Sequence, residues 1–137
     1  MKKRILLIFL LAAFLFISGC KNNSNINKNN EDFANCLVES GIKEYGAYWC
    51  SHCAAQEELF GGNIHTDILK KKGVYFECDK KCEANPLPTF CKIAGNSNAC
   101  ALAGIQGYPT WVLKDGTKLE GAQSLETLAK YTGCKLK

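Results

Sequence analysis

Cysteine is the residue that most constrains the fold of this chain, which has nine cysteines in 137 residues. Cys20 ends an apolar N-terminal segment, and the other eight lie between positions 36 and 134. An even number of cysteines in so small a domain is typical of exported proteins, whose disulfides form in an oxidising compartment. Two of the eight, Cys50 and Cys53, form a Cys-x-x-Cys pair. Such a pair could bind a metal, staple a loop or exchange electrons with other proteins.

The N-terminal residues have the pattern of an export signal. Met1 to Arg4 is basic, and residues 5–17 form an apolar run that is shorter than the roughly 20 residues needed to span a bilayer. The run leads into Ile17-Ser18-Gly19-Cys20, which resembles the lipobox of bacterial lipoprotein signal peptides. We therefore expect removal of residues 1–19, lipidation of Cys20 and an extracytoplasmic, membrane-anchored lipoprotein. An uncleaved anchor, or a secretory signal with an incidental Cys20, is the alternative.

The remaining chain divides into a tether and one domain. Residues 20–30 are rich in Asn and have almost nothing apolar to bury, which predicts a flexible tether. Residues 31–137 are enough for one small domain, which we expect to be a monomer. Without Lys2, Lys3 and Arg4 the chain has 14 basic and 13 acidic side chains. This near-neutral balance gives no electrostatic reason to expect nucleic acid as a partner.

The local patterns predict the order helix, strand, helix, strand, helix, strand, strand, helix. "IKEYGAYW" is a strand that ends at Cys50, and the helix "CSHCAAQEELF" begins there. The next strand is "VYFEC", and a strand, helix, strand unit predicts two parallel strands. Residues 79–97 contain two prolines, Cys82 and Cys91, and they predict a loop insertion. "GYPTWVLKDGTKLEG" predicts two strands around the turn Asp115-Gly116.

This order, with "WCSHC" at a strand-to-helix turn and "GYPTW" before the third strand, resembles the α/β thioredoxin fold, a mixed sheet flanked by helices. More narrowly, "FANCLVESG", "YGAYWCSHC", "AGIQGYPTW" and "DGTKLEGAQSLETLA" resemble the thioredoxin-like domain that is fused to, or works beside, bacterial vitamin K epoxide reductase homologues. The insertion departs from the fused members, and no transmembrane enzyme is expected on this chain. The resemblance implies a thiol–disulfide oxidoreductase without a cofactor, which acts on client proteins and is reoxidised by a membrane enzyme of the vitamin K epoxide reductase type.

Cys50 and Cys53 are the predicted catalytic pair. At the start of a helix, unpaired backbone N–H groups and the helix dipole favour the thiolate, so Cys50 is predicted to be the attacking sulfur. Cys53 lies on the same helix face and is expected to be more buried, as a resolving thiol. His52 can place positive charge near Cys50, and Ser51 and Trp49 complete the set of residues predicted to tune the site. A solvated His52 without effect is the alternative.

Two further positions are implied by the resemblance. In the thioredoxin family a cis peptide before this strand lies against the active-site disulfide, which assigns substrate binding to Tyr108 and Pro109. An ordinary trans proline is the alternative. Glu44 lies six residues before Cys50, where thioredoxins have a buried acid that accepts a proton from the resolving cysteine. A solvated glutamate at the end of the strand is the alternative for Glu44.

The remaining six cysteines can pair in many ways. The resemblance and the chain order favour Cys36–Cys134 and Cys78–Cys100, which leaves Cys82–Cys91 as a clasp within the insertion. A redox-active Cys78–Cys100 pair is the alternative to a structural one.

Two other functions are compatible with the cysteine pair. A lipid-anchored thiol reductant or isomerase, for example in cytochrome maturation, would use the same residues, because direction depends on reduction potential and partners. A metal-binding module would use Cys50, Cys53 and either His52 or His65. We expect no metal, because the chain contains only one Cys-x-x-Cys pair.

Overall fold

The first helix is longer than the sequence predicts. The structure is a computed structural model that describes residues 22–137, with side chains from residue 27, and the predicted signal peptide and Cys20 lie outside this range. Helix α1 spans Asn22–Ser40, so it includes most of the segment predicted to be a flexible tether. The amides of Asn29 and Asn30 donate to the backbone carbonyls of Lys137 and Phe60. These bonds hold the Asn-rich segment against the domain, an effect that composition does not reveal.

Four short strands form a mixed sheet in the order β2-β1-β3-β4. Strand β1 (Lys43–Gly46) runs parallel to β2 (Tyr75–Glu77), as the strand, helix, strand pattern predicts. Strand β3 (Thr110–Val112) is antiparallel to both β1 and β4 (Lys118–Glu120). With the helices on its faces, this sheet confirms the predicted α/β, thioredoxin-like fold class.

Helices connect and flank the strands. Helix α2 (Ser51–Phe60) follows β1, and the short helix α3 (Gly62–Ile64) continues as the π-helical segment His65–Lys70. Helix α4 (Ser97–Leu102) precedes β3, and α5 (Leu125–Thr132) follows β4. Within residues 22–137, no helix combines the length and the apolar character that crossing a membrane requires.

The insertion at 79–97 is better ordered than the predicted loop. It opens with a 3-10 helix, Lys80–Glu83, and returns to the sheet through a parallel bridge between Glu77 and Gly95. The backbone N–H of Asn96 donates to the carbonyl of Glu77 at 2.7 Å. Cys82 and Cys91 form a disulfide inside it. The insertion therefore packs beside β2 as a structured segment.

The main core lies between α1, α2, α5 and the sheet. Its largest fully buried apolar side chains are Phe33, Leu37, Ile42, Phe60, Leu69, Trp111 and Leu128. A disulfide between Cys36 and Cys134 joins α1 to the chain after α5. The core thus packs against β1 and α2. The Cys-x-x-Cys pair lies at the junction of these two elements.

Candidate active site

Cys50 is the N-cap residue of α2, and its sulfur occupies the place of a capping side chain. The Cys50 Sγ accepts a hydrogen bond from the backbone N–H of Cys53 at 3.2 Å. The backbone amides at a helix N-terminus carry partial positive charge, which stabilises a negative sulfur. Both thiols are free in the structure. The geometry therefore suits Cys50 for nucleophilic attack.

Cys53 lies one turn into α2 and is almost completely buried, at 1% exposure. Burial raises the pKa of the Cys53 thiol, and the hydrogen bond to the Cys50 sulfur raises it further. The two cysteines thus differ in position as the sequence predicts. Cys50 caps the N-terminus of α2, and Cys53 lies inside the helix and is more deeply buried. The Cys53 thiol holds its proton unless a neighbouring group removes it.

The peptide bond between Tyr108 and Pro109 is cis. The Cys50 thiol donates to the Tyr108 carbonyl at 3.6 Å, and the Tyr108 side chain packs against the cysteine pair. Trp49 meets the Tyr108 ring edge-on, with centroids 6.0 Å apart, and its indole N–H donates to Asp79 at 2.6 Å. The loop before β3 therefore lies directly against Cys50.

A cleft opens to solvent beside Cys50, and we call it the open cleft. Trp49 on its rim is 60% exposed, and Ser51 and His52 are also exposed. Its lining residues are Trp49, Cys50, Ser51, His52, Gln106, Gly107 and Tyr108. The structure thus brings together seven of the eight residues that the sequence predicts for catalysis, tuning or substrate binding. Of these, Pro109 is placed by its cis peptide bond and Cys53 by the hydrogen bond from its backbone N–H to the Cys50 sulfur.

The eighth residue, Glu44, is buried beneath the pair rather than solvated at a strand end, so that alternative is wrong. Its Oε2 atom lies 2.7 Å from Nε2 of His65, and both side chains are fully buried. Glu44 Oε1 and His65 Nδ1 have no hydrogen-bond partner in the described part of the chain. His65, a candidate metal ligand in the sequence, therefore contacts Glu44 in the structure.

A second cleft lies beside Cys53, and we call it the charged cleft. Its polar lining residues are Cys53, Glu57, Lys70, Tyr75, Glu77 and Lys92. Phe90 and Ile93 of the insertion form part of its wall. Apart from Cys53, the sequence interpretation missed these residues. The alternation along "VYFEC" could have placed Tyr75 and Glu77 on one face of β2.

Two carboxyl groups in the charged cleft have opposite electrostatic environments. Burial alone would raise the pKa of Glu57, but bonds from Lys70 and Lys92 outweigh it and hold the pKa below its usual value. Burial raises the pKa of Glu77, although the Asp79 backbone N–H and the Tyr75 hydroxyl both donate to it. Glu77 therefore accepts a proton more readily than Glu57 does.

Gly46 allows β1 to approach the pair closely. A Cβ atom there would lie 2.7 Å from Cε2 and 2.9 Å from Oη of Tyr75, and 3.1 Å from Sγ of Cys53. Contacts below 3.0 Å are essentially never seen for real Cβ atoms. The absent side chain leaves a space that both the Cys53 sulfur and the Tyr75 hydroxyl border.

The six other cysteines pair as the resemblance implies, in Cys36–Cys134, Cys78–Cys100 and Cys82–Cys91. Cys78 and Cys100 are buried among Tyr45, Phe76 and Tyr108. This environment shields the Cys78–Cys100 disulfide from solvent and favours a structural role.

No family model matches the chain. It is similar to the Arabidopsis thaliana protein named thiol-disulfide oxidoreductase LTO1, with 38% identity over 118 residues. The matched region is 82% of this chain and 28% of the plant protein, so the chain spans less than a third of that relative's length. Together with the fold, this similarity supports a thiol-oxidoreductase domain.

Proposed function

We propose that this chain is an extracytoplasmic thiol–disulfide oxidoreductase in which Cys50 exchanges disulfides with client proteins and Cys53 resolves the mixed disulfide. The observation that carries the proposal is the position of the Cys50 sulfur. It caps α2, accepts the Cys53 N–H and lines the open cleft. The name of the plant relative supports the same chemistry.

Client oxidation would proceed by two sulfur exchanges. A client thiolate attacks Cys50 of the oxidised pair; a client–Cys50 disulfide forms, the Cys50–Cys53 bond breaks, and the Cys53 sulfur leaves and takes up a proton. A second client thiolate attacks the client sulfur of the mixed disulfide and releases Cys50 as a thiolate, which the start of α2 stabilises. The client loses two electrons and the pair gains them.

The open cleft would bind the client chain. Trp49 and Tyr108 offer aromatic surface, and the backbone around the cis peptide lies against Cys50. Ser51 and His52 lie on the exposed rim, where the charge of a protonated His52 would favour the Cys50 thiolate. This arrangement selects for an accessible thiol or disulfide in an extended segment rather than for one client sequence.

Reoxidation by a membrane enzyme of the vitamin K epoxide reductase type completes the proposal, and the family resemblance supports it. Three disulfides outside the active pair favour an oxidising compartment. Lipidation of Cys20 would keep the domain beside such an enzyme. Loss of fatty-acid labelling in Cys20→Ala would support this anchor, and unchanged labelling would contradict it.

The central test is trapping of mixed disulfides. Cys53→Ser should accumulate client–Cys50 disulfides, because the Cys50 thiolate still attacks a client disulfide and no Cys53 thiol is present to displace the client from Cys50. Cys50→Ser should trap almost none, since the remaining thiol is buried. The double variant is the matched control. Equal alkylation of both cysteines, together with no trapped partner from Cys53→Ser, would contradict the proposal.

The reduction potential decides the direction. A value near or above about −200 mV, measured by equilibration with glutathione, would support client oxidation. A value near about −270 mV, like that of thioredoxin, would instead favour the reductant function.

A further inference from the structure

The proposed function creates a proton problem at Cys53. Whenever Cys53 attacks a mixed disulfide it must lose a proton, and whenever it leaves it must gain one. The side chain is 1% exposed, so exchange with bulk water at the sulfur itself is obstructed. A neighbouring polar group that accepts and returns the proton would speed its transfer between the sulfur and solvent.

The Tyr75 hydroxyl and the Cys53 sulfur border the same space, the one left by the missing side chain of Gly46. Oη of Tyr75 and Sγ of Cys53 lie 2.9 Å and 3.1 Å from one point, the Cβ position absent from Gly46, so the two atoms are at most 6.0 Å apart. A direct contact or one bridging water spans such a distance. Burial and the negative charge of Glu77 raise the pKa of the Tyr75 hydroxyl, so it can pass a proton only by accepting one while giving up its own.

Glu77 accepts the hydrogen bond that the Tyr75 hydroxyl donates. Tyr75 donates to Oε2 of Glu77 at 3.1 Å, and the Asp79 backbone N–H donates to Oε1 at 3.0 Å. Glu77 also lines the charged cleft, which Cys53 and Tyr75 line as well. The three side chains therefore line one cleft, and a hydrogen bond joins Tyr75 to Glu77.

The other two acids near Cys53 are less suited to this task. Glu57 forms salt bridges with both Lys70 and Lys92, and its lowered pKa disfavours proton uptake. Glu44 is fully buried against His65 and lines neither cleft. A proton taken by Glu44 would have no comparable route to solvent.

Resting on the proposed function, we propose that Tyr75 and Glu77 carry the proton between the Cys53 thiol and the charged cleft. In resolution, the S–H bond of Cys53 breaks as its proton passes to Tyr75, and the original Tyr75 proton passes to Glu77. The Cys53 thiolate then attacks Cys50, the Cys50–Cys53 disulfide forms, and the client leaves as a thiolate. Glu77 releases its proton to solvent through the cleft, and the reverse sequence protonates Cys53.

Several charged groups face Glu77 and define the environment of this relay. Glu44 lies on the neighbouring strand, and the others come from α2, the π-helical segment, β2 and the insertion. They are Cys53, Glu57, Lys70, Tyr75, Asp79 and Lys92, together with Tyr108 from the loop before β3.

A two-step reaction with an aromatic disulfide reagent such as Ellman's reagent tests the relay. Attack by Cys50 releases the first chromophoric thiol, and resolution by Cys53 releases the second. In Glu77→Gln and Tyr75→Phe we expect an unchanged first step and a second step slowed about tenfold or more at neutral pH. Glu58→Gln, an exposed acid on α2, is the matched control and should leave both steps unchanged.

The pH profile separates proton transfer from a structural effect. Because burial raises the pKa of Glu77, the wild-type second step should accelerate with pH above the usual carboxyl range. In Glu77→Gln only the alkaline rise from direct ionisation of Cys53 should remain. Tyr75→Phe keeps the ring packing and decides the question if Glu77→Gln does not fold.

Two results would overturn the relay. One is a second step of wild-type rate and pH profile in both variants. The other is a second step slowed by Glu44→Gln and not by Glu77→Gln. A wild-type protein that lacks the first step would contradict the proposed function itself, which distinguishes the two failures.

Discussion

The open cleft is lined by Cys50 and the charged cleft by Cys53, and the two differ in polarity and in exposure to solvent. The open cleft is aromatic and solvated, with Trp49 60% exposed on its rim. The charged cleft contains ionisable side chains that are nearly excluded from water, including Lys70 and Glu77 at 6% and 3% exposure. In the two proposals made above, sulfur exchange belongs to the Cys50 side and proton exchange to the Cys53 side.

The two sides should also differ in what they contribute to stability. Buried charges are costly unless they are paired, and removing one partner leaves the other uncompensated. Exposed aromatic side chains contribute little to folding and remain available for binding. Substitutions in the charged cleft should therefore lower the free energy of unfolding, and substitutions in the open cleft should weaken the binding of clients.

The largest expected effect lies away from both clefts and sets the scale. Replacing Cys36 and Cys134 with Ala opens a loop of sequence separation 98 and should lower the free energy of unfolding by about 4.7 kcal/mol. Opening Cys82–Cys91, with a separation of 9, should cost about 2–3 kcal/mol on the same entropic account. Urea denaturation measures both. Loss of disulfide exchange in a folded Cys36→Ala/Cys134→Ala protein would show that this bond belongs to the electron path.

Lys70→Met breaks the buried ion pair of the charged cleft. We expect a loss of about 3 kcal/mol, because Glu57 then retains only the more exposed Lys92. Lys71→Met is the matched control, since Lys71 pairs with Asp67 at the surface and should contribute no more than about 0.5 kcal/mol. Equal effects of the two substitutions in urea denaturation would remove the energetic distinction between the clefts.

Gly46→Ala tests the close approach of β1 to Cys53 and Tyr75. The added methyl group would overlap Tyr75, so we expect a loss of about 1–3 kcal/mol and a slower reaction of Cys53. Gly62→Ala is the control, because a Cβ there meets nothing within 4 Å and the residue is helical. Thermal unfolding of both variants would check the contrast, which fails if Gly46→Ala is as stable as the wild type.

The two acids of the charged cleft predict opposite pH dependence. Burial raises the pKa of Glu77, so its contribution favours the folded state below the usual carboxyl pKa and is lost as pH rises through the folded value. Burial alone would raise the pKa of Glu57, but the ion pairs with Lys70 and Lys92 outweigh it and lower the pKa. The contribution of Glu57 to the free energy of unfolding is therefore present above the usual carboxyl pKa and is lost on acidification.

The free energy of unfolding of Glu77→Gln, compared with wild type at the same pH, should therefore increase as pH rises from about 4 to about 7. For Glu57→Gln the same difference should decrease. Urea denaturation at both pH values gives the two differences. The same sign for both variants would contradict the assigned environments.

Trp49→Ala should have the smallest effect on folding and a specific effect on clients. Because the side chain is mostly exposed, we expect a change within about 0.5 kcal/mol in the free energy of unfolding. The KM for a cysteine-containing peptide should rise about fivefold, as expected for one lost aromatic contact. Tyr131→Ala removes another exposed aromatic and should leave the KM unchanged. A large loss of stability in Trp49→Ala would assign the residue to the core.

Local patterns were sufficient for the fold and for the Cys50 side of the site. The strand before Cys50, the helix that begins there and the proline before β3 are contiguous signals, and their relative positions follow from the fold. The pairing of Tyr75 with Glu44 and of Glu77 with Gly46 depends on parallel strand register, which one sequence does not specify.

The remaining differences arise from contacts between distant residues. Lys70 reaches Glu57 from the end of a π-helical segment, a geometry that no local pattern predicts. The Asn-rich segment looks flexible because its bonding partners, the carbonyls of Phe60 and Lys137, lie far away in the chain. Composition describes what a segment can bury by itself and not what another segment offers it.

The bridge between Glu77 and Gly95 also governs which chains can join the sheet. Strand β2 lies at the edge of the sheet, and an uncovered edge is a template for strand addition by unfolded polypeptides. The insertion occupies that edge, and Gly95 is needed there because a Cβ would lie 2.8 Å from the Asp79 carbonyl. If the domain binds unfolded clients as proposed, this cover would prevent their co-aggregation along β2 and leave the open cleft as the place where they bind.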